Sequence, residues 1–248
     1  LSTVRTSSYT PPPIEAPAPY LSLGKTSDYE SRILIRWLNF PSDVVAGGSI
    51  TSATITLHRA PYGFGDAAAP FSFEAREVKS WWSSYTFTSD SLAAMQAQLG
   101  GVAGTYSGTA KDSVTFTVDT ALVRSWLLLM GTQSFADIRG LLLQPTAGTG
   151  SVLAFESYEK ANKIPTLTLR MTLNGKDTTF AISALEDTFI ATGPKAPATS
   201  LAVHGGLSTR GRVSIDVSGV PAGSIVNQAV LTLTPDKNAT VKRFRGAD

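Results

Sequence analysis

The stretch Ile50-Thr51-Ser52-Ala53-Thr54-Ile55-Thr56-Leu57-His58 places Ala53, Ile55 and Leu57 at every second position, with threonines between them. A period of two puts one set of side chains on the buried face of a strand and the other set toward water. Threonine and isoleucine, which are β-branched, also favour a pleated, half-buried surface. The stretch therefore predicts a strand of an antiparallel sheet over residues 50–58.

Short apolar runs of the same character recur on both sides of this strand, separated by Gly, Ser, Asp and Pro. Such punctuation is typical of a β-sandwich or a barrel. Two helical turns, at 91–99 and 119–128, interrupt the pattern, and Asp119 is suited to cap the second one. The fold class predicted is all-β, an antiparallel sandwich of jelly-roll type. Its further strands are predicted at 32–37, 71–78, 113–118, 140–144, 152–158 and 166–173.

The chain also contains an internal repeat, because three segments near its beginning recur in the same order after residue 200. The first two pairs share an offset of 180 residues, and the third is shifted by a few residues. We interpret the repeat as one sandwich followed by the first strands of a second. The matching pairs are Leu21-Ser22-Leu23-Gly24 with Leu201-Ala202-Val203-His204, Arg32-Ile33-Leu34-Ile35 with Arg212-Val213-Ser214-Ile215, and Gly48-Ser49-Ile50 through Leu57 with Gly223-Ser224-Ile225 through Leu233.

Four regions follow from the repeat and from the prolines. Residues 1–19 are predicted to be an extended, proline-rich arm, since proline fixes φ and removes an amide donor. Residues 20–173 form the complete sandwich, 174–200 a linker with the opening strand of the second unit, and 201–248 a partial second sandwich. A sandwich that lacks most of its strands leaves an apolar face and an unpaired edge. We therefore expect residues beyond 248, or another polypeptide, to complete the second unit.

The sequence resembles the DNRLRE-type domain, a β-sandwich family of bacterial and archaeal surface proteins that includes carbohydrate-binding modules. The resemblance spans about residues 20–171. The family places an aspartate after its central apolar strand, where this chain has Trp37-Leu38-Asn39 and the second copy has Asp216. The resemblance implies a secreted or cell-surface prokaryotic protein whose partners are polysaccharides or other surface proteins. It is carried by Leu21 to Gly24, Arg32 to Trp37, Val44 to Ala53, Val78 to Trp82, Val118 to Trp126, Gly140 to Leu143 and Pro165 to Leu169.

Composition argues against several classes of protein. The 21 basic and 19 acidic side chains give a net charge of +2, which steers the chain only weakly toward a polyanion such as DNA. Cysteine is absent, which excludes disulfides, thiolate metal ligands and cysteine nucleophiles. The longest apolar run, Trp126 to Met130, is far shorter than the roughly 20 residues of a membrane span. We predict neither nucleic-acid binding nor a transmembrane segment.

Catalysis is not predicted either. The two histidines, His58 and His204, lie at or near strand ends, where a structural role is favoured. The sequence contains no G-x-S-x-G elbow, phosphate-binding loop or H-E-x-x-H helix. No cofactor and no catalytic or metal residues are assigned, although a structural Ca²⁺ is left open because it prefers carboxylate and carbonyl oxygens. The aspartates considered for such an ion, for which loop solvation or helix capping is favoured, are Asp112, Asp119, Asp137 and Asp187.

The candidate ligand-binding residues are aromatic and arginine side chains. Trp81 and Trp82 are adjacent in an extended stretch and must face opposite ways, so one is predicted in the core and the other exposed. The exposed one, with Tyr85, is the candidate for stacking on a sugar; packing or an assembly contact is the alternative. Tyr62 begins a second aromatic loop of the same ambiguous kind. Two arginines of one strand face could pair with uronates, since arginine forks match carboxylates, or with acids of the chain itself. They are Arg32 and Arg36.

Two functions are predicted from these observations. The first is a non-catalytic glycan-binding or adhesion module, which follows from the resemblance and from the aromatic segment Trp81 to Phe87. The second is a structural subunit of an extracellular or envelope-associated assembly, which follows from the incomplete second copy and the proline-rich arm. A third, an accessory region of a polysaccharide-degrading enzyme, requires a catalytic domain outside these residues.

Overall fold

The computed structural model describes residues 4–9, 18–66, 69–147, 149–193, 201 and 210–234. The described residues form two compact units. Residues 18–193 belong to the larger unit, and residues 4–9, 201 and 210–234 belong to the smaller one.

The described residues are mainly strands joined by short connections. The three α-helices are α1 (Ser42–Val45), α2 (Ser89–Gln96) and α3 (Thr120–Gly131), and a 3₁₀ turn covers Phe135–Asp137. The strands are β1 (Val4–Tyr9), β2 (Tyr20–Lys25), β3 (Glu30–Arg36), β4 (Ser49–Gly65), β5 (Phe71–Glu77), β6 (Val102–Gly108), β7 (Ser113–Thr117), β8 (Leu141–Pro145), β9 (Ser151–Glu156), β10 (Thr166–Leu173), β11 (Lys176–Ser183), β12 (Glu186–Thr192) and β13 (Arg210–Ile215).

The larger unit is a single, strongly curled sheet of eleven strands. Nine of them follow the order β11-β10-β4-β9-β2-β3-β8-β5-β6, while β12 pairs with β3 and β7 pairs with β4. Every pairing is antiparallel. The prediction of an all-β, antiparallel fold is confirmed.

The curl brings distant strands face to face and creates a sandwich-like core. Phe73 of β5 meets Phe116 of β7 edge to face, with 5.1 Å between ring centroids. Phe71 of the same strand lies 6.0 Å from Phe155 of β9. Edge-to-face and tilted arrangements of this kind suit the quadrupoles of aromatic rings. Trp37 is fully buried and stacks on the buried Trp126, with 6.3 Å between the ring centroids.

Strand β3 is buried on both of its faces. Ile33 and Ile35 point into the main core, and Leu34, which points the opposite way, belongs to a second cluster. This outer cluster is covered by α2 and by the loop that precedes it. Its members are Leu34, Val78, Trp82, Phe87, Leu92, Met95, Leu142 and Ile190.

The two predicted helices are confirmed with shifted bounds. Helix α2 begins after Thr88, whose side chain accepts a hydrogen bond from the Ser91 amide at 3.3 Å. Helix α3 begins after Asp119, as predicted, and the Asp119 carboxylate accepts from the Ala121 amide at 2.8 Å. These side chains satisfy amides that the first helical turn leaves unpaired.

Two of the predicted regions are wrong where the structure describes them. Residues 174–200 were expected to hold a linker and the opening strand of the second unit, yet β11 pairs with β10 and β12 pairs with β3, so residues 176–192 complete the larger unit. Residues 1–19 were expected to form no ladder strand, yet β1 pairs with β13 over six residues. The prolines at 11–13 lie outside the described residues, and so do residues 235–248.

The smaller unit contains the two-stranded ladder of β1 and β13. Residue Arg212, which the repeat matches with Arg32, lies in β13 as predicted. The second alternating stretch, Ala229 to Leu233, was expected to be a strand like its counterpart at 53–57. Instead, residues 216–234 of the described chain form turns and irregular backbone. This part of the prediction is wrong.

Candidate functional site

The side chains of two adjacent tryptophans in the loop between β5 and α2 face opposite ways, as predicted. Trp82 is 1% exposed and its indole Nε1 donates a hydrogen bond to the Arg139 carbonyl at 2.7 Å. Phe87 packs edge to face against the Trp82 ring at 6.5 Å. Trp81 points to solvent and is 63% exposed, and Tyr85 of the same loop is 61% exposed. Trp82 is therefore a core residue, and Trp81 and Tyr85 remain as candidates for ligand contact.

Arg36 anchors this loop to the sheet. Its guanidinium lies over the Trp82 ring, 5.1 Å from the centroid, and donates to the Glu186 carboxylate of β12. The other oxygen of Glu186 accepts from the Ser84 amide at 2.7 Å. A cation over an indole face and a charge-assisted pair are both favourable when partly removed from water. These contacts hold the backbone of the loop against the sheet, while the side chains of Trp81 and Tyr85 remain exposed.

Both arginines considered for uronate binding pair with acids of the chain itself. Arg36 pairs with Glu186, and Arg32 pairs with Glu30 at 2.5 Å. Their side chains are only 13% and 16% exposed. The sequence left two kinds of partner open for these arginines, uronates and acids of the chain itself. In the structure both arginines pair with acids of the chain.

A third segment of the chain meets this loop at the start of β12. Tyr85 lies near Tyr158, in the turn that follows β9, and contributes to the raised pKa of Tyr158. The Tyr158 amide donates to the Asp187 carboxyl at 2.9 Å, and the Ser157 hydroxyl donates to Glu159. We call this group the aromatic edge. It comprises Trp81, Tyr85, Tyr158, Glu159 and Asp187.

Carboxyl groups give the aromatic edge an acidic character. Burial of Asp187, which is 3% exposed, raises its pKa to about 8, and the nearby Glu159 and Glu186 add to the rise. The Tyr158 amide opposes the rise by donating to the charged form. Burial, Glu159 and Tyr85 likewise raise the pKa of Tyr158. With a pKa of about 8, Asp187 is mostly protonated at neutral pH and can donate a hydrogen bond.

Tyr62 lies in the second half of β4, and the predicted aromatic loop at 62–65 is wrong because these residues belong to that strand, with 63–65 paired to β9. Its ring meets Tyr20 edge to face at 4.9 Å, and the Lys160 ammonium lies 4.8 Å from the Tyr20 centroid. The Lys160 amide closes the turn by donating to the Ser157 carbonyl at 3.1 Å. The turn at 157–160 therefore contacts two aromatic residues: Tyr158 lies near Tyr85, and Lys160 lies over the ring of Tyr20.

Three of the four aspartates considered for calcium form hydrogen bonds or an ion pair with other groups of the chain. Asp119 caps α3, Asp137 pairs with Arg139 at 3.2 Å, and Asp187 accepts from the Tyr158 amide. Within the described ranges, no group of three or more His, Asp or Glu residues is arranged to hold a metal ion. His204 lies outside the described residues.

Sequence reasoning missed the acidic half of the aromatic edge. Glu186 and Asp187 fell in the region 174–200, where Asp187 was considered only as a calcium ligand, and Tyr158 and Glu159 were assigned no part in ligand binding. Ser84 and Glu186 are 102 positions apart, so only the folded sheet brings them together. The one local signal was the short apolar run Phe189-Ile190-Ala191, bounded by threonines, which is consistent with a buried strand directly after the two acids.

Comparisons with protein-family models, with curated proteins and with solved structures returned no match. The resemblance to DNRLRE-type domains stays a prediction. Among the described helices, none is long and apolar enough to cross a membrane.

Proposed function

We propose that this chain is a non-catalytic glycan-binding module of an extracytoplasmic prokaryotic protein, and that it binds at the aromatic edge. The observation that carries the proposal is the exposure of Trp81 and Tyr85 on a loop that Arg36, Glu186 and Trp82 hold in place. Binding sites for small molecules combine aromatic surface with a few placed polar groups. A rigid aromatic platform also costs little conformational entropy when a ligand stacks on it.

The surrounding charges favour a neutral or amino-bearing polysaccharide over a uronate. Glu159 lies beside Tyr158, whereas Arg32 and Arg36 are engaged by Glu30 and Glu186. A uronate would meet like charge without a free arginine fork, and like charges in contact are costly. The hydroxyl groups of a neutral sugar can instead pair with the phenols and carboxyls.

Affinity electrophoresis and calorimetry across xylan, cellulose, mannan, chitosan, pectin and alginate test this proposal. We expect binding to at least one neutral or amino-bearing polymer and at least tenfold weaker binding for Trp81→Ala or Tyr85→Ala, about 1.4 kcal/mol. Phe135→Ala is the matched control, because Phe135 is a comparably exposed aromatic residue (53%) that lies outside this loop. Lack of binding to every polymer, or equal loss in the control, contradicts the proposal.

A second function, a structural subunit of an extracellular assembly, is favoured by a different observation. The smaller unit exposes a run of large apolar side chains between 217 and 233, with exposures from 46% to 88%. Exposed apolar surface of this kind marks interaction sites in soluble proteins. The size of the native particle tests this candidate by light scattering, and a strict monomer in its native setting contradicts it.

A further inference from the structure

Two adjacent acids at the start of β12 hold two tyrosines from distant segments near each other. The Glu186 carboxylate accepts from the Ser84 amide at 2.7 Å, and Tyr85 is the next residue of that loop. Asp187 accepts from the Tyr158 amide at 2.9 Å. Successive side chains of a strand point to opposite faces, so each acid secures a different segment. The two phenols are thereby brought together at this end of β12.

Glu159 adds a negative charge beside the two phenols. It follows Tyr158 directly in the turn after β9, is exposed to solvent, and accepts a hydrogen bond from the Ser157 hydroxyl. It lies close enough to raise the pKa of both Tyr158 and Asp187. A hydroxyl group orients a carboxylate without cancelling its charge. The Glu159 carboxylate can therefore still form a charge-assisted hydrogen bond with a cation.

The basic side chains around the aromatic edge are directed to other groups. Arg36 pairs with Glu186, and the Lys160 ammonium lies 4.8 Å from the centroid of the Tyr20 ring. In the part of the chain that the structure describes, no lysine or arginine forms an ion pair with Glu159. The whole chain has a net charge of +2, so it does not attract cations at long range. Any preference for a cation must arise locally, at Glu159.

We propose that the aromatic edge selects a polysaccharide with free amino groups, such as a polymer of β-1,4-linked glucosamine. Glu159 pairs with the sugar ammonium, and the exposed rings of Trp81 and Tyr85 supply its aromatic surface. A cation is attracted to the face of an aromatic ring, and an ion pair adds to this attraction. An acetylated amine or a hydroxyl group at the same carbon gains neither contribution. The inference rests on the proposed glycan-binding function and narrows its ligand.

Calorimetry of the full chain with three hexasaccharides of the same β-1,4 linkage tests the inference, because the sugars differ only at carbon 2. The glucosamine hexamer carries an ammonium there, the N-acetylglucosamine hexamer an acetamide, and cellohexaose a hydroxyl. At about pH 5.5 and low salt, we expect the glucosamine hexamer to bind about five- to tenfold more tightly than the other two. Added salt should reduce this preference, since it screens exposed charges.

Two variants locate the preference at one carboxylate. Glu159→Gln keeps a side-chain oxygen that can accept from the Ser157 hydroxyl and removes the charge. It should bring the affinities for the three hexasaccharides to within about twofold of one another. Asp43→Asn is the matched control, because it removes an exposed carboxylate from α1 and should leave the preference for glucosamine as it is.

The outcomes separate this inference from the function on which it rests. Equal binding of the three hexasaccharides overturns the inference and leaves the proposed function in place. A preference that survives Glu159→Gln, or that Asp43→Asn removes, also overturns it. Binding to none of the three, when another polysaccharide of the screen does bind, overturns the inference alone. Binding to no polysaccharide contradicts the proposed function and the inference together.

Discussion

Arg36 and Glu186 lie directly opposite one another in the ladder of β3 and β12 and form an ion pair there, although 150 positions separate them in the sequence. The same guanidinium covers the Trp82 ring, and the same carboxylate holds the Ser84 amide. One pair of charges therefore joins an edge strand, a central strand and the loop that carries Trp81 and Tyr85.

This pair should couple strongly in a double-mutant cycle. Arg36→Met leaves the partly buried Glu186 without its cation, and Glu186→Gln leaves Arg36 without its anion. We expect each single change to destabilise the fold by a few kcal/mol and the double change to cost less than their sum by about 2 kcal/mol. Urea unfolding of the four proteins measures the coupling. Additive losses would show that the pair contributes no specific interaction.

Trp82 and Trp81 should differ sharply in their effect on stability. Trp82→Ala removes a fully buried ring from the outer cluster, which we expect to cost about 3–5 kcal/mol. Trp81→Ala should change stability by less than about 0.5 kcal/mol, since the side chain is mostly in solvent. Thermal and urea unfolding compare the two. Similar losses for both would contradict the assignment of Trp82 to the core and Trp81 to the surface.

The buried Asp187 makes stability depend on pH. Its pKa rises from 3.8 to about 8 on folding, so between these values the folded state holds a proton that the unfolded state has released. Stability should therefore fall as pH rises from about 4 to about 8, by at most about 1.4 kcal/mol per pH unit. Asp187→Asn keeps an oxygen that can accept from the Tyr158 amide and should flatten this slope. Urea titrations at several pH values measure both slopes, and identical slopes would exclude Asp187 as the cause.

Gly140 should not tolerate a side chain. It has a φ of +76°, and a Cβ built there would overlap the Ile35 carbonyl oxygen of β3. Gly140→Ala should therefore destabilise the fold by more than about 1 kcal/mol, because the unfavourable φ and the overlap with the carbonyl oxygen add. Gly101→Ala is the matched control, since nothing lies within 4 Å of its Cβ position. Equal effects of the two changes on urea unfolding would contradict the close approach at Gly140.

The sequence was most informative where periodicity alone sets the structure. Alternation predicted the first half of β4, and it predicted β10 with its observed bounds. Adjacency in an extended stretch predicted that one of Trp81 and Trp82 is buried, and burial in the structure identifies it as Trp82. The alternation of apolar and polar residues did not predict β6, because the glycines of Val102 to Gly108 weaken the strand signal.

The remaining errors have a common physical origin in long-range pairing. Residues 186–192 were read as linker because the repeat places the second copy at 201, yet β12 closes the first unit against β3. Likewise β1 is a strand only because β13 pairs with it from more than 200 positions away. Local propensity carries no information about such partners.

Strand β4 runs for 17 residues, pairing with β10 and β7 through its first half and with β9 through its second. One continuous backbone is thus shared by both walls of the sandwich. A force applied to β10 or β7 is transmitted to β9 through the covalent backbone of β4. Two groups of strands joined by a flexible loop would instead separate. When stretched with optical tweezers, the larger unit should therefore yield in a single event.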